Sequence, residues 1–444
     1  MESLLAGTKD IGLIDSLDYS GPSGIASYIQ RKEQVKWFPQ GGNTYSPNGV
    51  RQLRFSLNTT GGFIDMSSLF MKVKVTNTGA AGATPVNRIQ FLGANCGLFF
   101  QEIRVYAGGV QIDSPQYYNR TEAALSLMSS AAKRRQEFDE GFGLEVDANG
   151  VPTGTDKGTD FKSKPLDGGE SRVVCWRPKA LGLCNQHLYI PSHLIGAGGL
   201  VMEFLLVNDA AECCKTDQTS TGSATHFFNS AWELSDVQML ADVVSVSPEL
   251  NTSISKHLIS GGSLTIPYKQ YSSMLFTCTS EASQQIVMAR AFTRLCSFWL
   301  SFHKKDDDGP HGEFKVCNGF DFPASFDMRM RSKIGELSFP QHEIESVAEY
   351  WQRFLQGVGL AQSSAHSPGI SLVGFQDHGF LAYQDVEAVA GQAYGSGLST
   401  HGSQLTTELK NIALSSSDKP DSIFLSTYSE AIMEITADGV SYAN

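Results

Sequence analysis

Apolar and polar residues alternate at period two through much of this chain, which places one side-chain set on a core and the other in solvent, as in a half-buried antiparallel strand. The alternation predicts strands over 50–57, 70–75, 103–106, 110–113, 172–176, 187–190 and 200–207. It returns at 263–268, 273–277, 295–302, 328–331, 336–339, 370–373, 404–409 and 431–435. The period changes to 3.6 in two places. Over 342–356, Ile344, Val347, Ala348, Trp351, Phe354 and Leu355 form one apolar stripe, and over 117–129 a weaker stripe holds Tyr118, Thr121, Leu125 and Met128.

These elements occur in the same order twice. Ile103-Arg104-Val105-Tyr106 meets a turn at Gly108-Gly109, resumes as Val110-Gln111-Ile112-Asp113, and reaches Pro115-Gln116 and a helix. Met328-Arg329-Met330-Arg331 meets a turn near Gly335, resumes as Glu336-Leu337-Ser338-Phe339, and reaches Pro340-Gln341 and a helix, 225 positions later. Glycine supplies the positive φ of a tight hairpin, and proline, which cannot donate to a ladder, takes the chain out of the sheet. Residues 1–45 read as an irregular arm with a short helix over 24–35. The first unit is then 46–250, with long polar excursions at 131–170 and 209–229, and the second is 251–444, the boundary lying between Pro248 and Gly262. About eight strands and one helix per half predict an all-β fold: two tandem eight-stranded antiparallel jelly-roll barrels, each with a short helix, behind an N-terminal arm. A jelly roll removes long exposed edges by wrapping two Greek keys on each other.

Composition narrows the function. Charged residues are 18 % of the 444, below the roughly 25 % usual for soluble domains, so much of the surface is expected to be covered by other copies. The net charge of -12 and the absence of a basic tract longer than Lys133-Arg134-Arg135 argue against gripping nucleic acid, which calls for a basic face. Arg31, Lys32 and Lys36 form a looser cluster, read as solvated. The eight cysteines lack CxxC spacing and read as small buried hydrophobes. The first ten residues lack a signal peptide's apolar segment, and no run approaches the ~18 uncharged residues of a membrane span. Synthesis in a reducing compartment is therefore expected, with the sequons at Asn58, Asn119 and Asn251 unused.

Phe99-Phe100-Gln101-Glu102-Ile103-Arg104-Val105-Tyr106 through Val110-Gln111-Ile112, with the Tyr117-Tyr118 helix, resembles the first barrel of double jelly-roll major capsid proteins, most like those of polinton-like viruses, virophages and adintoviruses. Phe63-Ile64-Asp65-Met66-Ser67-Ser68-Leu69-Phe70 resembles that family's second strand, and Ala289-Arg290-Ala291-Phe292-Thr293-Arg294-Leu295 the approach to its second barrel. The likeness runs through most of 35–440 and consists of strands and turns rather than invariant signatures. It implies a homotrimer whose six barrels make a pseudo-hexagonal capsomer, tiling an icosahedral shell around a double-stranded DNA genome. It further implies neighbouring capsomers, minor capsid and penton proteins as partners, assembly inside the host cell, residence in the virion, and long loops rising outward.

Catalytic patterns are absent from the sequence. No His-x-His pair offers a cupin metal, His187 and His193 flank a proline, and His342-Glu343 has Ser346 where a zinc protease needs its second histidine. There is no G-x-S-x-G elbow and no GxxxxGK loop. Gly196-Ala197-Gly198-Gly199 precedes a strand and reads as a turn, and Asp306-Asp307-Asp308 with Glu313 as a solvated hairpin tip rather than a calcium site. No catalytic, cofactor or metal residue is assigned. Two function classes remain: a self-associating shell protein, and a monomeric glycan-recognising β-sandwich, which sizing and glycan retention would separate.

Overall fold

The computed structural model describes residues 28–83, 85–146, 162–196, 198–214, 229–279, 283–303, 328–359, 361, 367–377, 379–387, 394–412 and 420–444. The first half contains β1 (Ile29–Trp37), β2 (Thr44–Tyr45), β3 (Gln52–Ser56), β4 (Phe63–Asn77), β5 (Phe100–Ala107), β6 (Val110–Asp113), α1 (Tyr118–Leu127), α2 (Ala131–Glu140), β7 (Ser171–Trp176), β8 (Leu200–Leu206) and β9 (Trp232–Val246). After α3 (Pro248–Ile259) come β10 (Leu264–Thr277), β11 (Gln284–Val287), β12 (Leu295–His303), β13 (Arg329–Ile334), β14 (Leu337–Ile344), α4 (Val347–Gly357), α5 (Leu372–Asp377), β15 (Ala382–Asp385), β16 (Leu405–Lys410), β17 (Ser422–Thr436) and β18 (Gly439–Ala443).

Pairing makes the repeat explicit. The first half forms sheets in the order β1-β9-β4-β7, with β2 beside β9, and β3-β8-β5-β6. The second half forms β10-β17-β12-β15, with β18 beside β17, and β11-β16-β13-β14. Leaving out β2 and β18, the nth strand of one half occupies the place of the nth strand of the other. Each half is thus a pair of four-strand arrays whose neighbours are all antiparallel, the jelly-roll arrangement. Inward residues fill two main cores. Phe55, Phe100, Trp176 and Phe204 lie in the first, where Phe100 stacks on Trp176 at 5.2 Å, and Phe298, Phe302, Phe354 and Phe380 lie in the second.

Several expectations are corrected. Residues 29–35 are strand, not helix: β1 pairs with β9 along its length, so this part of the arm belongs to the first sheet. As an edge strand, β1 carries Arg31, Lys32, Glu33 and Lys36, the charges that keep an edge from recruiting other strands. The expected excursion at 131–170 begins with α2, N-capped by the Ser130 hydroxyl, and returns through bridges from Leu144 to Ser163 and Ile89 to Leu166. Of 209–229, Ala210–Cys213 is a short 3-10 helix, and 215–228 lie outside the described residues, as do Ala197, Asp306-Asp307-Asp308 and Glu313. Residues 187–190 make only a bridge from Ile190 to Ile64, 372–373 begin α5, and 263–268 and 273–277 are one strand, β10.

Pro340 does not end its strand. It lies within β14, an edge strand whose register shifts beside it, so its missing N–H removes no ladder bond. The second helix therefore starts at Val347 rather than at 342, where Ser346 accepts from the Glu349 N–H, and Ile344 stays in the strand. Cys175 is exposed, against the expectation of burial, while Cys96, Cys184, Cys213, Cys214 and Cys296 are buried.

Candidate functional site

The surfaces that can do work here are the seam between the two barrels and their outer sheet faces. The seam begins at α1. Tyr117 adopts left-handed φ of 50° and lays its ring 5.0 Å from Phe424, and one turn on the Arg120 guanidinium sits 4.5 Å over the same ring and 3.0 Å from His303 Nδ1. Thr121 Oγ1 lies 2.9 Å from Ser273 Oγ, itself 2.8 Å from Ser426 Oγ, a chain of hydroxyls running from the first half into β10 and β17. Ala124 and Leu127 then enter the second core, while Tyr118 stays in the first. The stripe expected on this helix is therefore displaced: Asn119, Thr121 and Glu122 are buried, and Leu125 and Met128 only partly. Polar side chains are tolerated there because they are satisfied. Tyr118 donates to Glu122 at 2.8 Å and Trp176 Nε1 donates at 3.3 Å. Burial nonetheless pushes the Glu122 carboxyl up, and Lys179 opposes that.

A 3-10 turn at Gly182–Asn185 completes the contact, with Gly182 lying directly against the Lys269 carbonyl of β10. Tyr268 donates to the Ile112 carbonyl at 2.6 Å, and the Gly182 N–H donates to Asp113 Oδ2 at 3.2 Å. Burial raises Asp113 to about 7, with the Gly182 and Ser114 N–H groups and Arg290 pulling the other way.

This seam explains an asymmetry between the halves. All nine residues of β12 are buried, because the outer face of its sheet, bearing Ser297, Ser301, His303 and Ser426, is covered. The equivalent face of the first half is open: Lys72 alternates with buried Met71 and Val73, Val173 is 55 % exposed, and Lys36, Lys72 and Lys74 make no ion pair among the described residues. Lys32, by contrast, reaches Asp242 at 3.0 Å and Arg31 pairs with Glu33, and the cluster stays exposed to solvent, as expected of it.

The four-stranded sheets carry a second shared feature. Arg104 stands opposite Glu203 in the β5-β8 ladder, and Arg331 opposite Glu408 at the equivalent point of β13-β16. Each glutamate gathers cations, Arg54 at 3.6 Å in one half and Lys333 at 2.7 Å in the other. Cross-strand pairs of opposite charge pin register without adding much stability at an exposed surface.

None of the histidines singled out earlier is brought to another. His193 contacts Asn251 at 3.2 Å, His342 contacts Glu349 at 3.2 Å, and His187 is exposed. Among the described residues no three His, Cys, Asp or Glu side chains come together as a metal site, and no helix is long and apolar enough to cross a membrane. Tyr118 and Thr121 of the expected stripe are buried, but Asp113, Asn119 and Glu122 escaped sequence reading because neither alternation nor helical periodicity marks a polar residue that a second domain will cover.

No protein-family model matches this sequence, and neither does any curated protein. Solved structures do. The PBCV-1 virus capsid quasi-atomic structure aligns with TM-score 0.62 at 9 % identity, over 94 % of this chain and 98 % of that one. The Faustovirus major capsid protein aligns with TM-score 0.59 at 11 % identity over 96 % and 93 %, and a chain of the Sputnik virophage cryo-EM structure with 0.56 at 12 % over 98 % and 93 %. With the strand order described above, these full-length alignments place the chain in the double jelly-roll fold of those capsid proteins.

Proposed function

We propose that this protein is a major capsid protein: three copies close into a pseudo-hexagonal capsomer, and capsomers tile an icosahedral shell around a double-stranded DNA genome. Its place is then the virion, with neighbouring capsomers, minor capsid proteins and penton proteins as partners, and its role is architectural rather than enzymatic. We take 46–250 and 251–444 as the two building units, with β1 of the preceding arm added to the first.

The observation that carries this reading is the asymmetry of the outer faces. Within the chain, the second barrel's five-stranded sheet is covered by the α1 side of the first. Among the described residues, the first barrel's equivalent sheet face and the outer side of the second barrel's α4 stay uncovered. Repeating the internal contact between chains is a heterologous association, which forms a ring if the rotation closes. In the proposed trimer, six barrels from three chains make such a ring.

Sizing should give a particle near three times 48.2 kDa, flat-sided with threefold outline in negative stain. The double substitution Lys72→Glu and Lys74→Glu, on an exposed face, should leave a folded monomer. A wild-type monomer sinks the proposal, and an unperturbed trimer in the double variant removes this face from the interface. Lowering salt should weaken contacts between trimers before it separates subunits, since the Debye length of about 8 Å at physiological ionic strength screens a net charge of -12 per chain.

A further inference from the structure

The boundary between the halves in sequence does not divide the cores in space. β10 and β17 pair without a break from Leu264 opposite Ile435 to Thr277 opposite Ser422, and this one ladder enters both cores. At one end Ile423 and Leu425 of β17 are buried in the second core. At the other, Ile266 and Tyr268 of β10 and Ala431, Met433 and Ile435 of β17 are buried in the first. The exchange is reciprocal, since α1 of the first half gives Ala124 and Leu127 to the second core. β18 pairs with β17 over Ile432–Thr436, the stretch inside the first barrel, and packs Val440 and Tyr442 against that core. The join falls at an edge. Among the described strands β6 pairs with β5 alone, and the outer side of such a strand in a free-standing barrel would face water. Here the Tyr268 hydroxyl donates to the Ile112 carbonyl of β6 at 2.6 Å, and Val440 stands against the β5-β6 hairpin, where a Cβ on Gly108 would lie 3.4 Å from its Cγ2.

We propose that β17 and β18 act as a strap: docking of these C-terminal strands closes the core of the first barrel, and the sheet face that this barrel offers to a second copy is complete only once they are in place. The link to association rests on the capsid reading, whereas the strap itself does not. The physical reason lies in the two sides of the same strands. β4 and β7 put Met71, Val73 and Val174 into the first core and Lys72, Lys74 and Val173 on the open face, so the outer surface keeps its shape only while the inner side is packed. Without the side chains from β10 and β17 the core would hold a void, and close-packed interiors relax only partly around a void. A chain whose C-terminal strands have not docked is thereby kept from associating through a half-formed face.

The test keeps the full chain and compares two ends of one strand: Met433→Ala with Ile435→Ala at the first-core end of β17, against Ile423→Ala with Leu425→Ala at the second-core end. Truncating two buried side chains should speed hydrogen exchange by at least about thirtyfold where the damaged core lies. For the first pair that place is β5 and β8, with β13 and β16 changed less; for the second pair the order reverses. Exchange in the first pair that rises as much in β13 and β16 as in β5 and β8, a uniform rise included, overturns the strap. Val440→Ser, at a partly buried position, gives a milder arm: exchange should rise at the β5-β6 hairpin before β13 and β16. No rise there overturns the strap, including where the paired variants do not fold. Sizing reads the link to association. Where the wild type is a trimer, Met433→Ala with Ile435→Ala should shift it toward monomer at equal concentration, and a full trimer whose β5 and β8 exchange fast overturns that link. A wild-type monomer sinks the capsid reading instead, and the exchange comparison still decides the strap.

Discussion

Gly182→Ala probes the seam with a single methyl group. A Cβ built on Gly182 would stand 1.8 Å from the Lys269 carbonyl oxygen, 2.7 Å from its carbon and 3.1 Å from the Gln270 Cα. All three atoms are backbone of β10, which pairs with β17 along its whole length, so no rotamer change makes room. Ordinary contact needs about 3.4 Å, and the barrels would have to part locally by about 1.5 Å. Overpacking that side chains can absorb costs about 1–3 kcal/mol, which puts this backbone clash at the upper end or above. Against it, the loss of unfolded-state freedom on replacing glycine returns about 0.4–1 kcal/mol. A net destabilisation of about 2–3 kcal/mol is expected, measured as the shift in urea midpoint followed by the fluorescence of buried Trp176 and Trp299, one in each half. Hydrogen exchange should rise at the Asp113 and Lys269 segments first. The within-barrel counterpart is Gly141→Ala, whose Cβ would meet the Ala94 carbonyl oxygen at 1.9 Å, and it should destabilise without that seam signature. A Gly182→Ala variant within about 0.5 kcal/mol of wild type would refute the close seam.

The ion-pair ladders should matter little to stability: Glu203→Gln and Glu408→Gln should each cost under about 1 kcal/mol, less at high salt, by urea midpoint. Lys333 holds the Glu408 carboxyl below its ordinary value, so what this pair contributes is present at neutral pH and lost on acidification through the lowered pKa. On α4, Trp351 is only half-buried, 5.7 Å from Phe354 and 5.0 Å from Phe375, so an aspartate there can turn its charge to water; Trp351→Asp should weaken the fold and still give soluble protein. Phe354, fully buried, has no such outlet, and Phe354→Asp should abolish soluble expression. Equal behaviour of the two variants would show that the helix face is wrongly placed.

The sequence announced the repeat of β5, β6 and α1 in β13, β14 and α4 because each step is local: alternation, a glycine hairpin, then a change of period. It concealed β9, which with β4 is one of the two longest strands of the first half, for a reason visible at Asp236. That residue has φ of 51° and sits where the register against β4 slips between Lys72 and Lys74. The bulge reverses the inward set from Trp232 and Leu234 to Val237 and Met239, so no unbroken alternation spans the strand, and beyond it Leu240, Ala241, Val243 and Val244 are buried on both faces. Single-residue phase shifts defeat a period-two reading even where every residue suits a strand. The seam was largely illegible for a different reason: burial of Glu122 and Asp113 depends on contacts more than 50 residues away in sequence.

One part of the assembly reading was nevertheless written in the strands, in where charge is spent. β4 places Lys72 and Lys74 at outward positions, whereas β12, at the same place in the other barrel, reads Leu295-Cys296-Ser297-Phe298-Trp299-Leu300-Ser301-Phe302-His303, with serine and tryptophan outward and no Lys, Arg, Asp or Glu. A strand that sees water on one face can carry lysine there at no desolvation cost, while one covered on both faces must use small or apolar groups. Serine serves the covered face well, since Ser273 and Ser426 satisfy each other and Thr121 across the join. The difference between two topologically identical strands thus distinguishes the sheet already engaged within the chain from the one still open. If copies meet as proposed, the open face is closed by contacts that lysine side chains can make at reach, and it remains separable by charge reversal.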